Sequence, residues 1–290
     1  MDLSQFDYAP LALAFTHVVL GVLVLIVAKH VKEWLSPYSL DQELTSQDNP
    51  AFGLAVAGYY AATVIVYLGA AAAGPLPVDA GTNAVLAAIG TDLAWAIAGI
   101  LALNGIRWLM DELLVSHTHN SREIIEHRNV AAGALESSCY IASALVLSGA
   151  LRQPGGTIWS AIVLFALGLA ALILIGRLYQ RVSGYDVSVE IRNGNLAAGV
   201  AFGLTLIGIA LLMMKATNVE FVSWVWSLTF FVFNAVAGLV LLRALRWVTD
   251  LAMFPHAKSK DEIVRDRNVN VGLIEGVLAV GIAAIILFLF

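Results

Sequence analysis

Long apolar runs alternate with short polar stretches along the whole chain. Eight runs stand out, at residues 10–28, 51–73, 84–106, 130–151, 158–176, 196–215, 221–242 and 269–290. Each is close to the length of about 20 residues that an α-helix needs to cross a hydrocarbon layer about 30 Å thick. No water is available there to satisfy backbone N–H and C=O groups, so each run is predicted to be a helix that bonds internally. Gly74-Pro75-Leu76-Pro77 and Pro154-Gly155-Gly156 punctuate the turns after the second and fourth runs. The expected fold is all-α, a polytopic membrane protein with eight transmembrane helices and long polar connections on one side.

The pattern repeats. The stretch 123–136 returns as 262–275, with Glu, Ile, Arg, Asn, Val, Gly and Glu at the same offsets. Arg107-Trp108-Leu109-Met110-Asp111 closes the third run and Arg246-Trp247-Val248-Thr249-Asp250 closes the seventh, in the same register. The chain therefore reads as two four-helix units, residues 1–153 and 154–290. Each unit is itself a duplicated helix pair. Asn49, Asn129, Asn195 and Asn268 stand at the entry to every second run, and Gly53, Gly133, Gly199 and Gly272 follow them by four residues. Every repeat contains an even number of helices, so all copies point the same way, unlike the inverted repeats of many transporters.

Composition agrees with the pattern. The 290 residues are 60% hydrophobic and only 13% charged, with a mean hydropathy of +0.83, against roughly 25% charged in soluble domains. The net charge of −5 gives no reason to expect nucleic acid as a partner. Cys139 is the single cysteine and can form no intrachain disulfide. The N-terminus is acidic where a cleavable signal would be basic, so the first run is expected to remain as a helix. The connections after the first, third, fifth and seventh runs hold 14 of the 16 Lys and Arg residues. Basic short loops stay in the cytoplasm, so both termini are expected outside it.

The charged approach, the Asn, the small residues that follow (Asn129-Val130-Ala131-Ala132-Gly133; Asn195-Leu196-Ala197-Ala198-Gly199) and the four-helix unit resemble domain-of-unknown-function family 350, the YjfL-like bacterial inner-membrane proteins. The resemblance covers nearly the whole chain as two fused copies. It implies a bacterial inner-membrane location and carries no activity. Members are often encoded beside phage-shock-protein-A-like and polyamine-synthase-like proteins, which implies envelope stress as a context.

Glu136 and Glu275 are the candidate chemical residues. Each lies seven residues past its Asn, about 10 Å into the membrane at 1.5 Å per residue. A carboxylate at that depth must be neutral, paired or wetted. Asn129, Gly133 and Glu136 share one helix face, as do Asn268, Gly272 and Glu275, and the glycine lets a neighbouring backbone approach. The face is therefore expected to point into the bundle. Under a pseudo-twofold axis the two acids would sit in equivalent places and could share a proton or a cation. The plainer reading is that each acid hydrogen-bonds a neighbouring helix. The four Asn are read as N-caps, or alternatively as a polar ring at a vestibule. Arg107 with Asp111 and Arg246 with Asp250 are read as interfacial i,i+4 ion pairs, with Trp108 and Trp247 as headgroup anchors. His117 and His119 alone do not make a metal site. No cofactor motif or catalytic set is found, which argues against an enzyme. The lipid bilayer is the certain partner. The functional expectation is a channel or transporter for protons or small cations. The alternative is a scaffold whose cytoplasmic loops recruit a stress-response protein. A homo-oligomer fits either.

Overall fold

In the computed structural model, residues 9–72, 81–114, 120–253 and 258–289 are described. The Gly74–Pro77 turn, His117 and His119 lie outside them. Among the described residues, eight helices are long and apolar enough to cross a membrane. They are α1 (Ala9–Leu35), α2 (Pro50–Ala71), α3 (Thr82–Leu114), α4 (Val130–Leu151), α5 (Ile158–Val182), α6 (Leu196–Thr217), α7 (Trp224–Met253) and α8 (Val269–Leu289). This is the all-helical, eight-span architecture that the hydropathy pattern predicts.

The even-numbered helices begin within a residue of the predicted starts, because each opens at an Asn cap. The odd-numbered helices run on at their C-termini: α1 to Leu35 and α5 to Val182, well past the predicted 28 and 176. Lys29, Lys32, Arg177 and Arg181 interrupt the apolar run there but do not stop the helix. Their aliphatic stems continue the apolar face while the charged ends reach polar surroundings. The connections expected to be extended polar loops contain short helices. Asn120–Ile125, Val187–Arg192 and Ser259–Val264 are α-helical and Gln42–Ser46 is a π-helical turn. Each stands just before one of the four Asn.

The helices form two layers. The even helices make a continuous row in which α2 packs on α4, α4 on α6 and α6 on α8. The odd helices cover its seams: α3 touches α2 and α4, α5 touches α4 and α6, and α7 touches α6 and α8. Small residues let the row pack backbone to backbone. A side-chain Cβ at Gly133 would lie 2.3 Å from the Ala51 carbonyl oxygen, and at Gly272 it would lie 2.5 Å from that of Ala197. The middle of the row is the core of the molecule. The membrane spans of α4 and α6 are 83% and 72% buried, whereas those at its ends, α2 and α8, are 56% and 44% buried.

Candidate functional site

Every row helix is entered through the same turn. A Glu in the short preceding element (Glu43, Glu123, Glu190 or Glu262) accepts, through its backbone carbonyl, the N–H of Asn49, Asn129, Asn195 or Asn268. Its carboxylate accepts from the same Asn's Nδ2, at 3.2, 3.1, 2.8 and 3.0 Å in chain order. The residue before each Asn is left-handed: Asp48 at φ 44°, Arg128 at 50°, Gly194 at 72° and Arg267 at 50°. The Asn side-chain oxygen then accepts from the first free N–H groups of its helix, such as those of Phe52, Ala131 and Ala132, Ala198, and Asn270.

Three of the four Asn do more than cap. Asn49 Nδ2 donates to the Ile124 carbonyl at 3.0 Å, Asn129 to that of Ile191 at 2.8 Å, and Asn195 to that of Ile263 at 2.8 Å. Each bond links one repeat to the next, so these buried amides are engaged sideways along the row instead of lining an open vestibule. None of the four Glu was foreseen as a partner of its Asn. The available signal was an acid five or six residues before every Asn.

Glu136 lies on α4, buried at 6% exposure. Arg107 of α3 donates from Nε to its Oε1 at 2.9 Å. Arg107 thus reaches a second acid beyond the Asp111 partner that the sequence suggested; a buried carboxylate needs a counter-charge, and the packing of α3 on α4 supplies one. Trp108, on the other side of α3, is exposed, as is Trp247 of α7. The side chains of Arg246 and Asp250 lie outside the described residues. Arg107 also bonds Ser121 through Nη2. Around this pair, Lys32 of α1 is 4% exposed and donates to Tyr140 Oη at 2.6 Å, with its ammonium over the rings of Tyr59 and Tyr140. Asn104 donates to Tyr59 Oη at 3.3 Å. The second carboxylate oxygen, Glu136 Oε2, is buried and accepts no hydrogen bond among the described residues. A cavity of about 440 Å³ opens beside the cluster, lined by Lys32, Tyr38, Asn104, Arg107 and Ser121. Burial pushes the Tyr38 phenol above its ordinary pKa, so it faces the cavity as a neutral group.

Glu275 lies on α8 and accepts from Tyr179 Oη of α5 at 2.9 Å. It lines a pocket of about 150 Å³ with Tyr179, Ser183, Arg243 and Lys260. The two acids are not brought together across a twofold axis. α6 packs between α4 and α8, and each carboxylate finds its own partner on a different covering helix. A larger cavity, about 810 Å³, is lined by Arg177, Arg181 and Arg192 and by neither glutamate. Arg177 Nε and Gln180 Nε2 there hold the last carbonyls of α3, at Leu113 and Leu114. Lys32, Tyr140 and Tyr179 were missed because they lie in stretches that read as helix ends or plain core. Tyr140, one turn past Glu136, was the one visible hint.

Eight apolar helices, four in a row and four against it, with acidic and basic side chains between the layers, define a polytopic membrane protein made of two fused four-helix units. The chain belongs to the family described as Domain of Unknown Function (DUF350), whose profile matches it twice, at residues 6–151 and 155–289. No curated protein and no solved structure matches it.

Proposed function

We propose that this protein handles a proton or a small anion at the membrane-embedded sites of Glu136 and Glu275. The observation that carries the reading is the charge around Glu136. One buried carboxylate is paired with the half-buried Arg107, and the buried Lys32 lies close by on Tyr140, beside an open cavity. Glu275 repeats the theme, with Arg243 and Lys260 lining its pocket. Two basic side chains to each carboxylate leave a local positive excess. Such a site attracts an anion, or passes a proton through Glu136 Oε2, Lys32 and Tyr140. It repels a metal cation, so the expectation of a cation path is narrowed. The same reading puts the chain in a bacterial inner membrane with the Asn end, rich in Lys and Arg, in the cytoplasm.

The test is flux in proteoliposomes loaded with a pH-sensitive or a halide-sensitive dye. Wild-type protein should carry protons or halide, and the pair Glu136→Gln with Glu275→Gln should lower that rate at least tenfold. Undiminished flux in the variant, a flux of sodium or potassium alone, or no flux at all would each sink the reading. A second reading, docking of a soluble stress-response protein, draws on the exposed charges Arg122, Glu126, Asp261, Arg265 and Asp266 at the Asn end. Reversing Asp261 and Asp266 tests it by co-purification. Glu262 should be left alone, since it holds Asn268.

A further inference from the structure

The row has two ends that match each other. Within the chain, three successive seams use the same three contacts, counted from the Asn that opens each helix. The glycine four residues after the Asn rests on the backbone two residues after the preceding Asn: Gly133 on Ala51, Gly199 on Ala131, Gly272 on Ala197. Positions eight and nine meet next, as Ser137 with Gly58, Gly203 with Ser138 and Gly276 with Leu204. Positions nineteen and twenty meet at the far side: Ser148 with Gly69, Met214 with Gly149, and Leu287 with Lys215.

The chain carries one unmatched half of this set at each end. On α8, the residues two, nine and twenty after Asn268 are Asn270, Val277 and Phe288, all exposed, the last at 86%. On α2, the residues eight and nineteen after Asn49 are Ala57 and Leu68, also exposed, while among the described residues outside its own helix backbone a Cβ at Gly53 would meet only Leu44 Cδ2, at 3.8 Å. The Asn bonds end in the same way. Among the described residues, Asn268 Nδ2 reaches Glu262 and makes no bond of the kind that Asn49, Asn129 and Asn195 make to the next repeat. Leu44, the counterpart of Ile124, Ile191 and Ile263, has no preceding Asn. The covering layer agrees. α3, α5 and α7 each lie over a seam of the row, whereas α1 touches α2 with no row helix before it, and presents Phe15, Val18, Val22 and Ile26 outward.

We propose that a second copy of this chain docks head to tail, with α8 of one copy against α2 and α1 of the next. The contact continues the internal seams: Gly53 on the Asn270 backbone, Ala57 on Val277, Leu68 on Phe288, and Asn268 donating to the Leu44 carbonyl. Lipid is the competing occupant, but small residues and an exposed Asn270 fit a close-packed helix better than acyl chains. The contact is heterologous, so it propagates until it closes on itself.

Full-length protein carrying Cys139→Ala, Ala57→Cys and Val277→Cys, reconstituted at low protein-to-lipid ratio and oxidised, tests this. The double-cysteine chain should form a ladder of covalent oligomers. Each single-cysteine chain should form none, and a mixture of the two singles should stop at the dimer. Gly53→Leu in the otherwise native chain should reduce the assembly seen by native mass spectrometry to monomer with unchanged thermal stability, because the added side chain has room within one copy. Cross-linking by either single-cysteine chain alone would show a symmetric contact and overturn the proposal. So would a wild-type monomer in lipid nanodiscs, or oligomers that persist in Gly53→Leu.

Discussion

Arg107 and Glu136 form a buried pair whose removal and breakage should differ. Glu136 is nearly inaccessible, while Arg107 keeps 22% of its side chain exposed. Leaving one buried charge without its partner costs about 3–5 kcal/mol, whereas replacing both by apolar groups is often neutral. The partial exposure of Arg107 and the nearby ammonium of Lys32 place this pair at the low end of that range. Arg107→Leu should therefore lose about 3 kcal/mol, and Arg107→Leu with Glu136→Leu should lose less than that single change, as measured by unfolding in mixed micelles. If the double variant is the less stable of the two, the pair is not the local counter-charge described here. The left-handed residues before each Asn offer a second test at this scale. A non-glycine residue in that conformation costs roughly 1–2 kcal/mol, and glycine returns roughly 0.5–1 kcal/mol of that as lost chain entropy. Arg267→Gly, at φ 50°, should accordingly stabilise by about 0.5–1 kcal/mol, read as a rise in melting temperature.

At the scale of the element, capping and cross-linking can be separated because Asn268 does one and Asn129 does both. Asn129→Ala removes a cap, worth about 0.5–2 kcal/mol, and one bond to the buried Ile191 carbonyl, which keeps the Gly194 N–H, so that loss adds about 0.5–1.5 kcal/mol. Asn268→Ala, measured on the detergent-solubilised monomer, removes the cap and a bond to Glu262 that Asn129 matches with Glu123, but no bond to another repeat of the same chain. The expected losses are about 2 and about 1 kcal/mol, and equal losses would mean that the bond to Ile191 contributes nothing. The helices themselves were legible in the sequence, since apolar runs of membrane length have one solution in a bilayer. The caps were legible for the same reason that they recur: Asn stands where each row helix must start. The short helices before them were not. Six residues such as Asn120–Ile125 carry too little apolar periodicity to register, and they are held by contacts made elsewhere, with Ile124 buried under the row and its carbonyl bound to Asn49. For a related reason, Arg107 was not read as the partner of Glu136. Its i,i+4 spacing to Asp111 is visible in one dimension, and its 2.9 Å contact with Glu136 exists only after α3 has docked on α4.

At the scale of the whole molecule, the two units resemble two modules, but the row runs through them without a break. The seam between α4 of the first and α6 of the second is built like those inside each unit. A Cβ at Gly199 would stand 2.7 Å from the Ala131 carbonyl oxygen, and one at Gly203 would stand 2.4 Å from Ser138 Oγ. Asn129 crosses the same seam to Ile191, and Thr217 donates to the Val146 carbonyl at 3.3 Å near its far end. Packing of small residues and interhelical hydrogen bonds hold membrane helices together without a hydrophobic force between them, so this seam does not depend on the peptide link at residues 153–154. Residues 1–153 and 154–290 expressed as separate chains in one cell should assemble and co-purify through a tag on either half. Gly199→Leu in the second half should abolish that, because the Ala131 backbone occupies the space the side chain needs. Gly90→Ala in the first half should leave it intact, since nothing stands within 4 Å of a Cβ there. Halves that separate in mild detergent, or that tolerate leucine at Gly199, would mean that the covalent link and not the seam makes this one molecule.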